Sequence, residues 1–413
     1  MTLKGKDIVQ VAASDKKVFA LSRKGELYVL SSAKKYQQLS EEEKVQGWSD
    51  YFWGIYPSVK FFKADIPNPS NGEKIKNISA GQHHLAALTS DNRILTLQAD
   101  ATGKTYGQLG IGNLDSAPIP SNSDENAADY CLQFAEAKLP DSVTLDKVSC
   151  GNNHTFIRTD SGRIFAFGAN FLGQLGLGHF TMSKAVALTP QEITDKFSST
   201  NQQVRPKIVD VVAGGDTSAF VVQQVDFDDN VKSVELYTCG FGQWGQLGNN
   251  RYMHVQGMPV KVPSFSCKFE YSEELNRVVP VNLYKVSIGA THLFATLDNV
   301  NVKSDFGRDV YAWYVFVFQP SNFSRGENLD FQLGTGKRSN LNAPAPPLLP
   351  NYRNSSGSQE SDLQSALQGR LQVASPATVS VALPGKKGKQ NLQVEQEIVA
   401  GFGVSAIYSK IIL

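Results

Sequence analysis

The sequence is short of the residues from which covalent and metal-bound frameworks are built. Its 413 residues include 4 Cys and 6 His. Cys131, Cys150, Cys239 and Cys267 show neither a C-x-x-C pairing nor nearby paired histidines at zinc-site spacing. They read as reduced core thiols, which suits a reducing or mitochondrial-matrix-like compartment. Charge is scarce as well: charged residues make up 19% of the chain, and 40 Lys+Arg stand against 39 Asp+Glu. With a net charge of +1, no global field draws the chain to nucleic acid, an anionic membrane or an acidic substrate. Long apolar runs are also missing. The longest, Val310 to Phe318, is nine residues, against about 20 needed to cross a bilayer. The opening stretch Met1-Thr-Leu-Lys-Gly-Lys-Asp7 is neither a signal h-region nor an Arg/Ser-rich transit peptide. Either the chain is cytosolic or nuclear, or its targeting segment is not present in it.

Catalytic signatures are equally sparse. Gly103-Lys104-Thr105 imitates the end of a phosphate-binding loop, but Gln98 stands where that loop needs a glycine, and no strand-to-helix context follows. The sequence holds no G-x-S-x-G elbow, H-E-x-x-H or paired carboxylate cluster. The expectation is a chain that is not an enzyme, with no catalytic, cofactor-binding or metal-ligating residues and no cofactor.

What is present is a repeated phrase. Its fullest copy runs Val148-Ser-Cys-Gly151-Asn-Asn-His154 through Gly162-Arg-Ile-Phe-Ala-Phe-Gly168-Ala-Asn170 to Gly173-Gln174-Leu175-Gly176. An earlier copy opens on Gly81-Gln-His-His84 and closes on Gly107-Gln108-Leu109-Gly110. Later copies open on Gly214-Gly-Asp-Thr217 and Gly289-Ala-Thr-His292 and close on Gly245-Gln246-Leu247-Gly248 and Phe331-Gln332-Leu333-Gly334. Degenerate copies flank these, one marked by Ala13 and ending Gln37-Gln38-Leu39-Ser40, the other reduced to the opening half at Gly401. From Ala13 onward the markers are spaced 68, 70, 63, 75 and 112 residues apart. Each unit alternates short β-branched and aromatic runs with turns such as Asp160-Ser-Gly162, the grammar of antiparallel strands. Sheets of about four strands at this period, with no helical crossovers, favour a propeller over a solenoid. The repeat histidines His84, His154 and His292, with Lys16, Thr217 and Val404 in their place elsewhere, are spread around such a ring rather than gathered. Structural hydrogen bonding is expected of them, not base catalysis.

These residues resemble the repeat of the regulator of chromosome condensation family, whose members form propellers of usually seven blades. The resemblance implies an all-β fold, a β-propeller of about six to seven four-stranded blades, N-terminally incomplete, in one domain over 1–413. The glycines Gly81, Gly151, Gly214, Gly289 and Gly401 and the histidines above are then repeat-defining structural residues. Three insertions interrupt the pattern. Residues 40–57 crowd Trp48, Tyr51, Phe52, Trp53 and Tyr56 into nine positions, a candidate interaction patch or a lid on the propeller flank. Residues 314–325 split Val310-Tyr-Ala-Trp313 from Gly326-Glu-Asn328, as an exposed apolar finger or an annotation artefact. Residues 343–370 read as a flexible loop.

Some members of the resembled family stimulate nucleotide exchange on a small GTPase, and others are scaffolds. Chromatin-bound members carry a basic tail that this chain lacks. The divergent, insertion-rich repeats look most like the mitochondrial branch, in particular the fungal inner-membrane protein linked to respiratory complex III assembly. The resemblance therefore implies protein partners: respiratory-chain assembly factors or subunits, or alternatively a small GTPase. The near-zero net charge speaks against nucleic acid and the short apolar runs against a membrane span in this chain, while the resemblance implies the mitochondrion, associated with the inner membrane, with a targeting segment and anchor belonging to a full-length form; the alternative is cytosol or nucleus.

Overall fold

In a computed structural model the described residues are 3, 5–38, 59–140, 143–178, 185–273, 275–290, 292–298, 308–314, 343–347, 371–374, 376–382, 389–401 and 405–412. The chain divides into two compact units, Met1–Ser198 and Ser199–Leu413. The first holds three four-stranded antiparallel blades: β1 (Ile8–Ala13), β2 (Lys17–Ser22), β3 (Leu27–Ser31) and β4 (Phe62–Ala64); β5 (Ile75–Ala80), β6 (His84–Thr89), β7 (Ile94–Gln98) and β8 (Ala135–Glu136); and β9 (Leu145–Cys150), β10 (His154–Thr159), β11 (Ile164–Ala169) and β12 (Val186–Glu192). The second holds blade four, β13 (Arg205–Gly214), β14 (Thr217–Val225), β15 (Val231–Gly242) and β16 (Met253–Lys261). A two-stranded hairpin follows, β17 (Phe269–Ser272) and β18 (Arg277–Pro280). Blade five is β19 (Leu283–Ile288), β20 (His292–Leu297), β21 (Arg308–Tyr314) and β22 (Gln372–Val373). Blade six is a three-stranded sheet, β23 (Ala377–Ala382), β24 (Lys389–Ala400) and β25 (Ser405–Ile412). The all-β propeller blades expected from the repeats are what the chain forms.

Two local devices recur because the sequence recurs. The first and second strands of blades one to five each contain a one-residue register shift, as at Ile75/Asn77 and Leu283/Lys285. Such a bulge adds right-handed twist, which lets neighbouring sheets pack face to face. The turn between second and third strands needs a left-handed residue, supplied by Gly25, Asn92 and Gly162 at φ of 82°, 66° and 82°.

The cores lie between blades. Phe19, Leu27 and Val29 of blade one pack with Ile78, Leu85, Leu95 and Leu97 of blade two. Leu236, Val262 and Phe265 pack with Val286, Leu293 and Trp313 of blades four and five. Blades five and six also share a buried ionic seam, in which Glu397 accepts hydrogen bonds from Lys410 at 2.8 Å, from the Tyr408 hydroxyl at 2.7 Å and from Lys285. Burial alone would raise the Glu397 carboxyl, but these three donors outweigh it and hold the group down to about 2.

Two sequence expectations need correction. Cys131, Cys150 and Cys239 are buried, but Cys267 is exposed, at a φ of 55° in the turn that leads to β17. It is a turn residue and not a core thiol. The first repeat is also shifted by one: Ala13 pairs with Val18 as Ala80 pairs with Leu85 and Cys150 with Thr155. The glycine position of blade one is therefore Ser14, and Lys17 stands at the histidine position instead of Lys16. In the third insertion, Ala345 makes an isolated bridge to Ala312 of β21. Residues 348–370, 315–325 and 39–58 lie outside the described residues.

Candidate functional site

The repeat-defining residues meet where one blade touches the next. The N–H groups of Gly81, Gly151 and Gly289 donate to the carbonyls of His84, His154 and His292 at 2.8, 2.9 and 2.9 Å, closing a tight turn between the first two strands. None of these glycines has a positive φ. Their requirement is space: a Cβ on Gly81 would come under 3.0 Å from the Gly151 carbonyl oxygen and the His84 ring, and one on Gly289 under 3.0 Å from the Gly401 carbonyl oxygen. On Gly214 it would meet the carbonyl oxygens of Ile288 and Gly289 at 2.8 Å. The close approach allows backbone bonds between blades, Asp15 N–H to Gln82 O at 3.0 Å, Gln82 N–H to Asn152 O at 3.0 Å, and Ala290 N–H to Gly401 O at 3.2 Å.

The histidines complete this joint. His84 Nε2 lies 2.7 Å from the Thr155 hydroxyl of the next blade, and His292 Nε2 lies 2.6 Å from the Ser405 hydroxyl. Where the position is not histidine the facing residue changes too: Lys17 has Leu85 at that register in the next blade, and Thr217 has Leu293. A histidine is thus matched with a hydroxyl and its absence with leucine. Because the Thr155 hydroxyl donates to the Gln108 carbonyl at 3.5 Å, the consistent tautomer of His84 carries its proton on Nε2. His84, His154 and His292 are 0% exposed. Burial pushes their pKa down to about 3, about 3 and about 4, so they stay neutral near pH 7 and exchange no proton there.

This fixes the sign of a pH dependence. The unfolded chain binds protons on these rings near pH 6.5 and the folded chain does not, so their contribution is complete above pH 6.5 and is lost as pH falls toward the folded values. Each histidine contributes up to about 1.4 kcal/mol of lost stability per pH unit below that point. Urea unfolding between pH 7.5 and pH 5, a range above most carboxylate titration, is expected to show this slope, and His84→Gln and His292→Gln are expected to flatten it. A slope that neither variant changes would refute the assignment.

The closing tetrapeptide is a second joint. The side-chain Oε1 of Gln108, Gln174 and Gln246 accepts from the N–H two residues earlier at 2.7, 2.9 and 2.7 Å, folding the turn on itself. The carbonyls of Leu109 and Leu247 take hydroxyl bonds from Thr96 and Thr238 of the third strands at 2.9 and 2.7 Å. The last glycines, Gly110 and Gly248, have φ of 69° and 62°. Each receives an aromatic ring of the following blade: a Cβ would lie 2.9 Å from Phe167 on Gly110 and 2.9 Å from Trp313 Nε1 on Gly248.

Sequence reasoning missed a clasp in the first unit. Lys17 is 1% exposed; its amine donates to the Glu125 carbonyl and sits 5.7 Å from the Tyr130 ring centroid. Lys16 pairs with the Glu125 carboxylate, which also accepts from Ala101 N–H at 3.2 Å. Burial pulls the Lys17 amine down to about 8 despite the attraction of Asp100. Asp100 is itself held 2.6 Å from His83 Nδ1. The group pins the long β7–β8 loop across blade one. Among the described residues no group of three or more His, Cys, Asp or Glu is placed to hold a metal ion. The aromatic patch Trp48, Tyr51, Phe52, Trp53 and Tyr56 lies outside the described residues.

Residues 146–174, in blade three, and 161–221, running on from blade three as far as β14, match models of the regulator of chromosome condensation (RCC1) repeat. Residues 146–221 carry RCC1 repeats. A mitochondrial relative, Protein FMP25 of Saccharomyces cerevisiae, is 25% identical over 308 residues, which is 67% of this chain and 50% of that protein. The X-linked retinitis pigmentosa GTPase regulator of Mus musculus is 31% identical over 196 residues, 46% of this chain and 15% of that protein. The chain thus spans half or less of the length of these curated relatives. Among solved structures, Prp20p from Saccharomyces cerevisiae aligns with a TM-score of 0.48 at 18% identity, covering 82% of this chain and 62% of its own. The RCC1-like propeller is an interaction fold, and no described helix is long and apolar enough to cross a membrane.

Proposed function

We propose that this chain is a non-enzymatic propeller scaffold of the mitochondrion, associated with the inner membrane, that helps assemble or stabilise respiratory complex III through its faces and insertions. The match to the mitochondrial relative over 67% of the chain supports this reading. The geometry is in keeping with it: His84 and His292, buried and neutral, are engaged in joints between blades. Deleting the gene is expected to deplete mature complex III on native gels while other complexes persist. Normal complex III in the deletion strain would reject the reading.

The match to a GTPase regulator over 46% of the chain supports a second reading, a guanine-nucleotide exchange factor or partner of a small GTPase. Exchange needs tighter binding to the nucleotide-free state and no catalytic side chain. The same purified protein, added to small GTPases loaded with fluorescent nucleotide, separates the two readings, since a scaffold leaves the release rate unchanged.

A further inference from the structure

At the histidine position of blade one stands Lys17, and the residue at that register in blade two, Leu85, offers its amine no hydrogen bond. The acceptor comes instead from residues 121–130 of the loop between β7 and β8. These ten residues fold on their own bonds. Ser121 N–H donates to the Tyr130 carbonyl at 2.9 Å and the Ser121 hydroxyl to the Asp129 carbonyl at 2.6 Å, closing a neck. Beyond the neck Asn122 Oδ1 accepts from Asp124 N–H at 2.9 Å, and Asp124 Oδ1 from Asn126 N–H at 3.0 Å. The apolar side chains of this stretch are Ala127, Ala128 and Tyr130, so little apolar burial fastens it to blade one. Polar side chains of blade one hold it: Lys16 pairs with the Glu125 carboxylate, the Tyr36 hydroxyl donates to the Asp124 carboxylate, and the Lys17 amine donates to the Glu125 carbonyl. A loop that keeps its own shape and is held by such contacts can lift as a unit.

One of these contacts works against closure. The Lys17 ammonium is buried with a carbonyl and the Tyr130 ring as its neighbours, and among the described residues it forms no ion pair. The charged groups around it are Lys16 of its own blade and Asp100, Asp124 and Glu125 of the loop. Each carboxylate is engaged elsewhere: Glu125 with Lys16 and Ala101 N–H, Asp124 with Tyr36 and Asn126 N–H, Asp100 with His83 Nδ1 and Thr102 N–H. Burying a cation in this way costs free energy that is recovered in water when the loop lifts. The closed loop therefore holds the Lys17 proton less tightly than the open one. Burial raises the Tyr130 hydroxyl and the Cys131 thiol, so neither ionises ahead of Lys17 in the closed form, and Cys131 lies outside the neck.

We propose that residues 121–130 are a proton-linked latch on blade one, which tightens when Lys17 loses its proton and loosens when Lys17 regains it. The closed amine titrates at about 8 against 10.5 for an exposed one. Closure is thus opposed in full below pH 8, and the opposition falls away as pH rises from 8 toward 10.5. Between pH 7 and pH 9 the open fraction falls about tenfold. The latch lies within the first unit and does not depend on the compartment or partner class proposed above.

The test is cleavage of the full chain after Glu125 by a glutamate-specific protease, scaled at each pH to the rate on a free 119–132 peptide. Glu125 is itself a latch contact, so the protease takes it only when the loop is released. The scaled rate is expected to fall about tenfold from pH 7 to pH 9. Lys17→Arg and Lys17→Met, neither of which loses a proton in this range, are expected to abolish the fall. Lys16→Met is expected to raise the rate at both pH values and to keep the fall. Cleavage after Glu273, exposed in the second unit, is expected to show no such change. A parent rate that does not fall, a fall that survives both Lys17 variants, an equal fall at Glu273, or a Lys16→Met protein cut like the parent would each overturn the proposal.

Discussion

Gly81→Ala is expected to lower the unfolding free energy by about 3 kcal/mol, at the upper end of what one added methyl costs in a packed interior. The residue has an ordinary backbone conformation, so φ strain contributes nothing. The whole effect comes from a Cβ forced under 3.0 Å from the Gly151 carbonyl oxygen and the His84 ring. Neither neighbour can yield cheaply. The carbonyl belongs to the adjacent blade's backbone, and the His84 ring is held by the Thr155 hydroxyl at 2.7 Å. Moving either also strains the Gln82 to Asn152 bond that ties the two blades. Gly72→Ala is the matched control. Its φ of 87° makes it strained, yet its Cβ would meet nothing within 4 Å, so its cost should stay near 1 kcal/mol. Urea titrations of the two variants measure the difference, and equal losses would show that inter-blade contact is not what requires glycine at position 81.

The division between what the sequence reveals and what it hides follows from distance along the chain. The glycine and histidine of each repeat are legible because they recur, and the need for close approach is legible from glycine itself. What the missing Cβ would strike is not, because Gly151 is seventy positions away and belongs to another blade. The same limit hides the Lys17 amine against the Glu125 carbonyl, contributed by a loop of the next blade. A worn copy is hard to register by letters alone: Ala13 and Ser14 are equally poor substitutes for glycine, and the pairing of Ala13 with Val18 decides between them. Among the described residues the β17–β18 hairpin has no counterpart in the other repeats, so no periodicity marks it. Cys267 follows from that insertion, since it lies on the approach to the hairpin.

Trp313→Ala is expected to cost about 3–5 kcal/mol, the range for emptying a fully buried large aromatic site. Trp313 is 0% exposed and packs among Leu236, Val262, Phe265, Val286 and Leu293. Its ring lies 5.7 Å from that of Phe265, which in turn meets Tyr311 edge-on at 5.3 Å. The indole also closes a blade joint, because Nε1–H donates to the Gln246 carbonyl at 2.9 Å and the ring covers Gly248. Truncation removes the packing and leaves that buried carbonyl without its donor. Trp313→Phe separates the two contributions. Phe167 fills the equivalent place against Gly110 in the first unit, so a phenyl ring fits this joint, and its cost should fall to about 1–2 kcal/mol for the unmade hydrogen bond and the smaller ring. The order Trp over Phe over Ala in urea midpoints is the expected result. If Phe proves as damaging as Ala, the hydrogen bond to Gln246 dominates the joint and packing does not. If Ala is tolerated, the closing tetrapeptide of blade four is held by something other than the ring it receives.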